Sequence, residues 1–531
     1  MALRTGPGSP GPGAAARLVV VGTACVLLAA CSPPAPPQVP APAPSTESAG
    51  PTTVEPTADP WADVSDFVPG LVTWDSALPE QSVEGDPVEI SLGEGEDPVG
   101  SFRRTNVGLS FEASDLADER WEPGTSSLTP LIAALNQPSL RFGGNAVDRR
   151  VWWTSSDESA PDWAEFTIGP DDLDRIARFA EATDASVTLV LPLGHFDPER
   201  AADMAAHAER ALGDRLVAVA FGNEPNGFHH QSQLDLALRD EGWDAEAWVG
   251  EAEDYGQAVH DRVPELAVDG PGAYDAPWWR AFGEAEIENK VALSQHWYPL
   301  WSCPDRSGET EERAEPEVEN LTSQWLHERA ETVFGQGKDT ADNYDLPLWI
   351  EETGPTSCPG TNDSSRTHAQ TLWTADFVMI GAAVGAQRMN HHSSLAACRG
   401  GAPMSMVCGM GAVPNESPRV IAQSNYLALL MLSQVGTGEL VEISSSDPEV
   451  RAYAVAGEGY TDIVLVDTGE PGTDRAMDLS VDADRLHGIS TLTAESLEAT
   501  NEGRLRLLSE ADAVPDSLPR GSVTLLRFSD E

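Results

Sequence analysis

The sequence predicts an α/β protein: a (β/α)₈ TIM barrel followed by a C-terminal antiparallel β-sandwich. Three observations carry that expectation. Between residues 104 and 424, short apolar runs alternate with longer stretches of helical periodicity. Each apolar run ends in polar, chemistry-bearing residues, as barrel strands do at their C-terminal ends. From residue 425 to 531 the pattern changes to short alternating strands separated by turn signals.

The strand candidates are, in order, NVGLSFE, SLRFGGN, SVTLVLPLG, LVAVAFGNEP, LAVDGPG, VALSQHWYP, LPLWIEET and AQRMNHH. Between them lie DDLDRIARFAEAT, ERAADMAAHAERAL, EAWVGEAEDYGQAVHDRV and TLWTADFVMIGAAVG. In the first of these, Leu173, Ile176, Phe179 and Ala180 recur at helical spacing. An open doubly wound sheet is the alternative, but no Gly-rich phosphate loop follows any strand. QSNYLALLMLSQV reads as a last helix, and RAYAVAG, TDIVLVDTG, RAMDLSVDA and GSVTLLRFS as the sandwich. PVEISLG, within the segment 62–103 ahead of the barrel, reads as a strand that joins the sandwich.

The N-terminus carries an address. Arg4 and Arg17 precede LVVVGTACVLLAAC, an apolar stretch short for a membrane span but suited to the core of a signal peptide over residues 1–30. Leu28-Ala29-Ala30-Cys31 resembles a bacterial lipobox, which implies lipidation of Cys31 and export to the extracytoplasmic face of the membrane. Plain secretion is the alternative. Residues 31–61 are Pro-rich and form an extended tether. The net charge of -54 argues against nucleic acid and against long-range attraction of any polyanion, leaving the membrane a partner only through the lipid.

Beyond Cys25 and Cys31 the chain holds Cys303, Cys358, Cys398 and Cys408. An even number in an exported chain favours disulfides over four buried thiols, and the spacings match no common zinc pattern. Cys303 follows Tyr298 and Cys358 follows Glu352 closely, on loops that leave neighbouring strands about 5 Å apart. Cys303–Cys358 would clamp those loops, and Cys398–Cys408 would close a short excursion after the eighth strand.

The strand ends supply Glu112, Asn145 with Asp148, His195, Asn223 with Glu224, and Asp269. The last three supply His296 with Tyr298, Glu351 with Glu352, and His391 with His392. Two carboxylates facing each other across a barrel mouth suit glycoside hydrolysis, and Glu224 and one glutamate of WIEETG fall on opposite strands, the fourth and the seventh. Asn223 is placed to donate to a sugar 2-hydroxyl, and Tyr298 to orient the ionised carboxylate. Successive strand residues point to opposite faces, so only one of Glu351 and Glu352 is expected at the site. His229-His230 and His391-His392 read as sugar contacts or core histidines rather than metal ligands. Trp297 and Trp301 are stacking candidates beside a strand end, although aromatic packing is the commoner use of a tryptophan.

VGLSFE, LRFGGNAVDRRVWW, FGNEPN, QHWYP and WIEETG, in this order and with a sandwich behind the barrel, resemble the β-glucuronidase and heparanase family, glycoside hydrolase family 79 of the clan A retaining glycosidases. The resemblance spans residues 85–531. It implies Glu224 as acid/base with Asn223 beside it, Glu352 as nucleophile with Tyr298 as its partner, and Glu112, Asn145 and Asp148 near the reacting sugar; His296, at its strand end, is a further candidate for substrate contact. It implies no cofactor and an oligosaccharide or glycoside substrate, uronic-acid-containing in the leading reading. Alternation is then expected to turn Glu351 away from the substrate, toward the helical layer or a neighbouring loop, where it needs an arginine or backbone donors. The loop GPTSCPGTNDSS departs from the family pattern, because Pro355 and Pro359 cannot donate to a uronate. Gly360, or an arginine such as Arg149, Arg150 or Arg399, could substitute for those donors. A β-xylosidase or β-glucosidase is the enzymatic alternative, and a sugar-capturing lipoprotein without turnover the non-enzymatic one.

Overall fold

The structure, a computed structural model, describes residues 81–530 except 94, 96–97, 230–235, 302–313, 358–362, 399–403, 410–417, 482, 501 and 512. The signal peptide and lipobox with Cys31, the tether, Cys303, Cys358, His230, Gly360 and Arg399 lie outside the described residues. Cys398 and Cys408 are joined in a disulfide, with Cα atoms 4.9 Å apart. No described helix is long and apolar enough to cross a membrane.

Eight parallel strands close a barrel in chain order. They are Gly108–Glu112, Ser139–Gly143, Ser186–Leu191, Leu216–Phe221, Val268–Ala273, Lys290–Trp297, Leu348–Thr353 and Ala386–Ser393, matching the eight apolar runs of the sequence. Helices such as Pro170–Thr183 lay one apolar stripe on the barrel, here Leu173, Ile176, Phe179 and Ala180. Side-chain caps start several of the helices: Asp197, Asp244 and Ser323 accept from the N–H groups of Arg200, Ala247 and Leu326. Inside the barrel, Ala218, Ala292 and Trp349 fill the bottom. Higher up, the inward positions turn polar and charged, and the site stands on them.

The C-terminal region is a sandwich of a seven-stranded and a four-stranded sheet. Ile463, Leu465, Leu526 and Phe528 face the four-stranded sheet, whereas Val464, Val466, Val523 and Leu525 face the barrel side. Burial on both faces explains why TDIVLV reads as a near-continuous apolar run. Gly100–Phe102 pairs in the larger sheet and Val83–Leu92 in the smaller. One pairing is not antiparallel: Val83–Leu92 runs parallel to Asp474–Ser480. That strand arrives from ahead of the barrel, with no hairpin to dictate its direction.

Helix His368–Val384 lies between barrel and larger sheet, and every residue from His368 to Ala382 is buried. Its Asp376 links three elements: His327 Nδ1, on helix Gln324–Asp342, lies 2.8 Å from Oδ2, and Tyr453 of the sheet donates to Oδ1 at 2.6 Å. Burial alone would lower the His327 pKa, but the charge and hydrogen bond of Asp376 outweigh it and raise it, with Arg451 opposing and Glu331 assisting. Burial likewise opposes ionisation of Asp376, but His327, Arg451 and Tyr453 bring its pKa below the usual range. The His327 contribution is therefore complete below about pH 6.5 and fades as pH rises through the raised value. That of Asp376 is complete above about pH 4 and fades below it. The gap in Tm between the wild type and His327→Gln should be widest near about pH 5 and shrink above about pH 7. A gap constant over that interval would contradict the ion pair.

Candidate active site

Glu352 closes the seventh strand almost out of contact with solvent. Arg141 Nη1 donates to its Oε2 at 2.7 Å and Tyr298 Oη to its Oε1 at 2.7 Å, with His392 Nδ1 3.7 Å away. Burial pushes against ionisation here, yet Arg141, His296, His392 and the tyrosine bond outweigh it and hold the carboxyl well below the usual range. Tyr298 is pushed the other way, by burial and by the charges of Glu352 and Glu224, and stays a protonated donor.

Glu224 follows the fourth strand in a left-handed conformation, φ 46° and ψ 56°. Few non-glycine residues adopt it, and such conformations gather at functional sites. The surroundings fix it: its N–H donates to Gly272 O at 3.0 Å, and Gly227 N–H returns to its own carbonyl at 2.8 Å. Its side chain is 17% exposed, with His296 Nδ1 3.2 Å from Oε1. Oxygens of Glu224 and Glu352 and a ring nitrogen of His296 lie within 4.8 Å of one another. They are the one such trio able to hold a cation among the described residues.

Asn223 is buried and joined to Glu352 through Arg141. Its Oδ1 accepts from Arg141 Nη2 at 2.7 Å and Gly144 N at 3.1 Å, and its Nδ2 has no protein partner. Glu112 Oε2 accepts from Ala146 N at 2.8 Å, and Gly144 packs directly beneath that carboxyl. A Cβ at Gly144 would lie 2.5 Å from Glu112 Cδ, and φ there is +67°, so glycine is required twice over. Burial, and the charge of Glu352, raise the Glu112 pKa against the pull of His392 and the Ala146 amide. Asn145 stands exposed at the rim, accepting from Arg149.

Three expectations need correction. Asp148 is not open to a ligand: its Oδ1 takes the N–H groups of Leu193 and Gly194 at 2.8 Å each, and its Oδ2 that of Asn223 at 2.7 Å. It clips the ends of the third and fourth strands and thereby seats Asn223-Glu224. Trp297 is not a sugar platform, because it packs on Phe334 and Phe377 among the helices. Most consequentially, Glu351 does not turn toward the helical layer.

Strict alternation along the seventh strand would put Trp349 and Glu351 inside the barrel and Glu352 outside. The ladder, however, pairs Gln295 with Ile350 and then His296 with Glu352, so the seventh strand carries one extra residue at Glu351. On its other edge, Ile350 pairs with Met389 and Thr353 with His391, the same excess. Such a bulge re-aims a side chain. Glu351 remains inside, 1% exposed, and Glu352 comes in above it. Thr188 donates to Glu351 Oε2 at 2.6 Å, Asn390 Nδ2 at 3.1 Å, and Arg388 Nε to Oε1 at 3.3 Å. The arginine that Glu351 needs is thus present, on the inner face of the eighth strand.

Arg141 and this polar layer escaped the sequence reading. The signal for Arg141 was there: a cation between Leu140 and Phe142 in an apolar strand must have a buried partner. The paired histidines diverge: His391 is buried against Trp373 and Phe377, its pKa lowered to about 4 by burial, while His392 approaches Glu352. His229 Nδ1 lies 2.9 Å from Arg239 O, and His195 stacks on Trp163 at 3.7 Å.

No protein-family model matches the chain, and no curated protein matches it in sequence. Solved structures match in fold. A 4-O-α-L-rhamnosyl-β-D-glucuronidase from Fusarium oxysporum superposes with a TM-score of 0.63 at 16% identity, covering 82% of this chain and 99% of its own. The family 51 arabinofuranosidase from Xanthomonas axonopodis pv. citri gives 0.60 at 16%, covering 83% and 100%. A bifunctional glucanase-xylanase from a metagenome library gives 0.57 at 14%, covering 84% and 100%. The chain shares the barrel-and-sheet fold of these structures.

Substitutions at Arg141, Glu351 and Glu352 test the geometry. A nucleophilic Glu352 must be ionised, so activity falls as pH drops through its pKa. Arg141→Met removes the nearest cation, raises that pKa, and should move the acid limb of kcat/KM up by about 1–3 pH units. An unmoved limb would deny Arg141 this role. Glu351→Ala leaves Arg388 buried without its partner and should cost about 3–5 kcal/mol in denaturant unfolding. Glu351→Gln keeps the bond from Thr188 and should retain far more activity than Glu352→Ala. Equal inactivation by both would contradict the separation of roles.

Proposed function

We propose that this chain is a retaining β-glycoside hydrolase of the clan A type, with Glu352 as nucleophile and Glu224 as acid/base, acting on β-glucuronides. The observation that carries the reading is the approach of the two carboxyl groups from opposite strands, nearest oxygens within 4.8 Å. Retaining enzymes hold their pair about 5–5.5 Å apart, and inverting enzymes leave about 6.5–9.5 Å for a water.

In the first step a Glu352 oxygen bonds to the anomeric carbon as the bond to the leaving oxygen breaks. Glu224 gives its proton to that oxygen, leaving an α-linked glycosyl ester on Glu352. In the second, ionised Glu224 takes a proton from water, whose oxygen attacks the same carbon and releases Glu352 and the β-sugar. Tyr298 and Arg141 hold the nucleophile ionised and oriented. The unpartnered Nδ2 of Asn223 is left to donate to the sugar 2-hydroxyl, an interaction that strengthens as positive charge develops on the ring.

The glucuronide assignment is supported by the motif resemblance and by the named activity of the Fusarium neighbour. A neutral β-glycoside such as a β-xyloside or β-glucoside is the second reading. One observation favours it: Arg141, beside Glu352, is already spent on Glu352, Asn223 and Ser110. Chromogenic β-glucuronide, β-xyloside and β-glucoside separate the two. On whichever is cleaved, proton NMR should find the β-anomer first. Glu352→Ala should be nearly inactive, with azide yielding the α-glycosyl azide. Glu224→Ala should lose about 10²–10⁴-fold on poor leaving groups while sparing the glycosylation step of activated aryl glycosides. Inverted product would sink the nucleophile assignment.

A further inference from the structure

The groups around Glu224 bear on what leaves. The acid protonates the oxygen between the two halves of the substrate, so the departing half must pass over the turn Pro225–Gly227 that presents Glu224. Tyr274, directly after the fifth strand, bounds this turn. It is 42% exposed, one of few large hydrophobic residues left open, and its hydroxyl lies 3.7 Å from where a Cβ on Gly227 would be. Arg149 bounds it from the second-strand side, with its guanidinium 5.9 Å from the Phe228 ring. Among the described residues Arg149 donates to two neutral acceptors, Asn145 Oδ1 at 2.9 Å and Leu236 O at 3.4 Å. Among the described residues no carboxylate lies within ion-pairing distance of it, in a chain with 86 acidic and 32 basic residues. By contrast, Arg150 pairs with Glu165, and Asp275, the acid next to Tyr274, is taken up by Asn226.

We propose that Tyr274 and Arg149 form the subsite for the leaving group, and that this subsite selects an acidic sugar, one bearing a carboxylate or a sulfate ester. The inference rests on the assignment of Glu224 as acid. Tyr274 offers an aromatic face to the apolar face of a sugar ring, and Arg149 a forked cation to an anionic group on that ring. The acidic surface does not forbid this. Charges beyond about 8 Å are screened at physiological salt, so a single anion meets mainly Arg149, whereas a long polyanion meets the whole surface.

The test uses β-disaccharides whose non-reducing sugar is that of the fastest aryl β-glycoside. Their reducing residue is glucose, glucuronic acid or glucose 6-sulfate. The wild type should show kcat/KM about tenfold higher for an acidic residue than for glucose, the increment of one charge-assisted hydrogen bond. The two acidic arms tell carboxylate from sulfate. Arg149→Gln should reduce the ratio to about one, Arg149→Lys should restore part of it, and Tyr274→Ala should lower kcat/KM for all three while keeping the ratio. No acidic preference in the wild type, or a preference surviving Arg149→Gln, would overturn the inference and leave the hydrolase reading standing. No hydrolysis of any glycoside, or hydrolysis persisting in Glu352→Ala, would overturn the hydrolase reading and this inference with it.

Discussion

Between Ile350 and Glu352 the seventh strand carries one residue more than the strands on either side, and the extra residue is itself a buried acid. Without it Glu352 would point among the helices, away from Glu224 and Tyr298. The bulge puts two consecutive carboxylates inside one barrel, which plain strand geometry forbids. Each then needs its own counter-charge, since an unpaired ion at that depth costs several kcal/mol, about 3–5 when a partner is removed. Arg141 answers Glu352 from the second strand, and Arg388 answers Glu351 from the eighth. The Arg388 guanidinium also lies 5.2 Å from the Trp349 ring centroid, so the bottom of the barrel, the Glu351 ion pair and Glu352 form one stack.

Asp269 extends this layer. Burial and the charge of Glu351 raise its pKa to about 7, against Arg141, Ser294 and Arg388. Protonation of Asp269 leaves two carboxylates in this layer, Glu352 and Glu351, facing two guanidiniums, Arg141 and Arg388. That balance is a form of electrostatic preorganisation: the groups that keep Glu352 ionised are in place before any sugar arrives. Glu224 stands apart, partly exposed and fixed mainly through its backbone. The two carboxylates therefore differ in environment: Glu352 is sealed against Arg141 and Tyr298, and Glu224 is open toward solvent.

The barrel was legible because its strands and helices have distinct periods, and the strand ends because polar residues there interrupt apolar runs. The sandwich strands were legible as runs, but not the parallel pairing of Val83–Leu92, since strand direction is not written in a strand's own composition. At the site the sequence placed Glu224, Glu352, Asn223 and Tyr298 together. It failed on Glu351, because a bulge leaves no mark in a six-residue strand of apolar and acidic residues. Arg141 was legible only through its charge, since a cation inside the apolar run SLRFGG requires a buried partner. It gave Asp148 to the substrate, since an acid just past a strand end looks the same whether it meets a ligand or three backbone amides.

The central claim is that Glu352, turned inward by the bulge, forms the bond to the sugar, while its neighbour supports the strand beneath it. A 2-deoxy-2-fluoro β-glycosyl fluoride of the accepted sugar slows the second step and should accumulate the covalent intermediate. Peptide mass spectrometry of the inactivated enzyme should then find one fluorosugar per chain, on Glu352 of the peptide containing WIEETG. A label on Glu351, or enzyme that turns the reagent over or resists it with no covalent label on this peptide, would contradict the account.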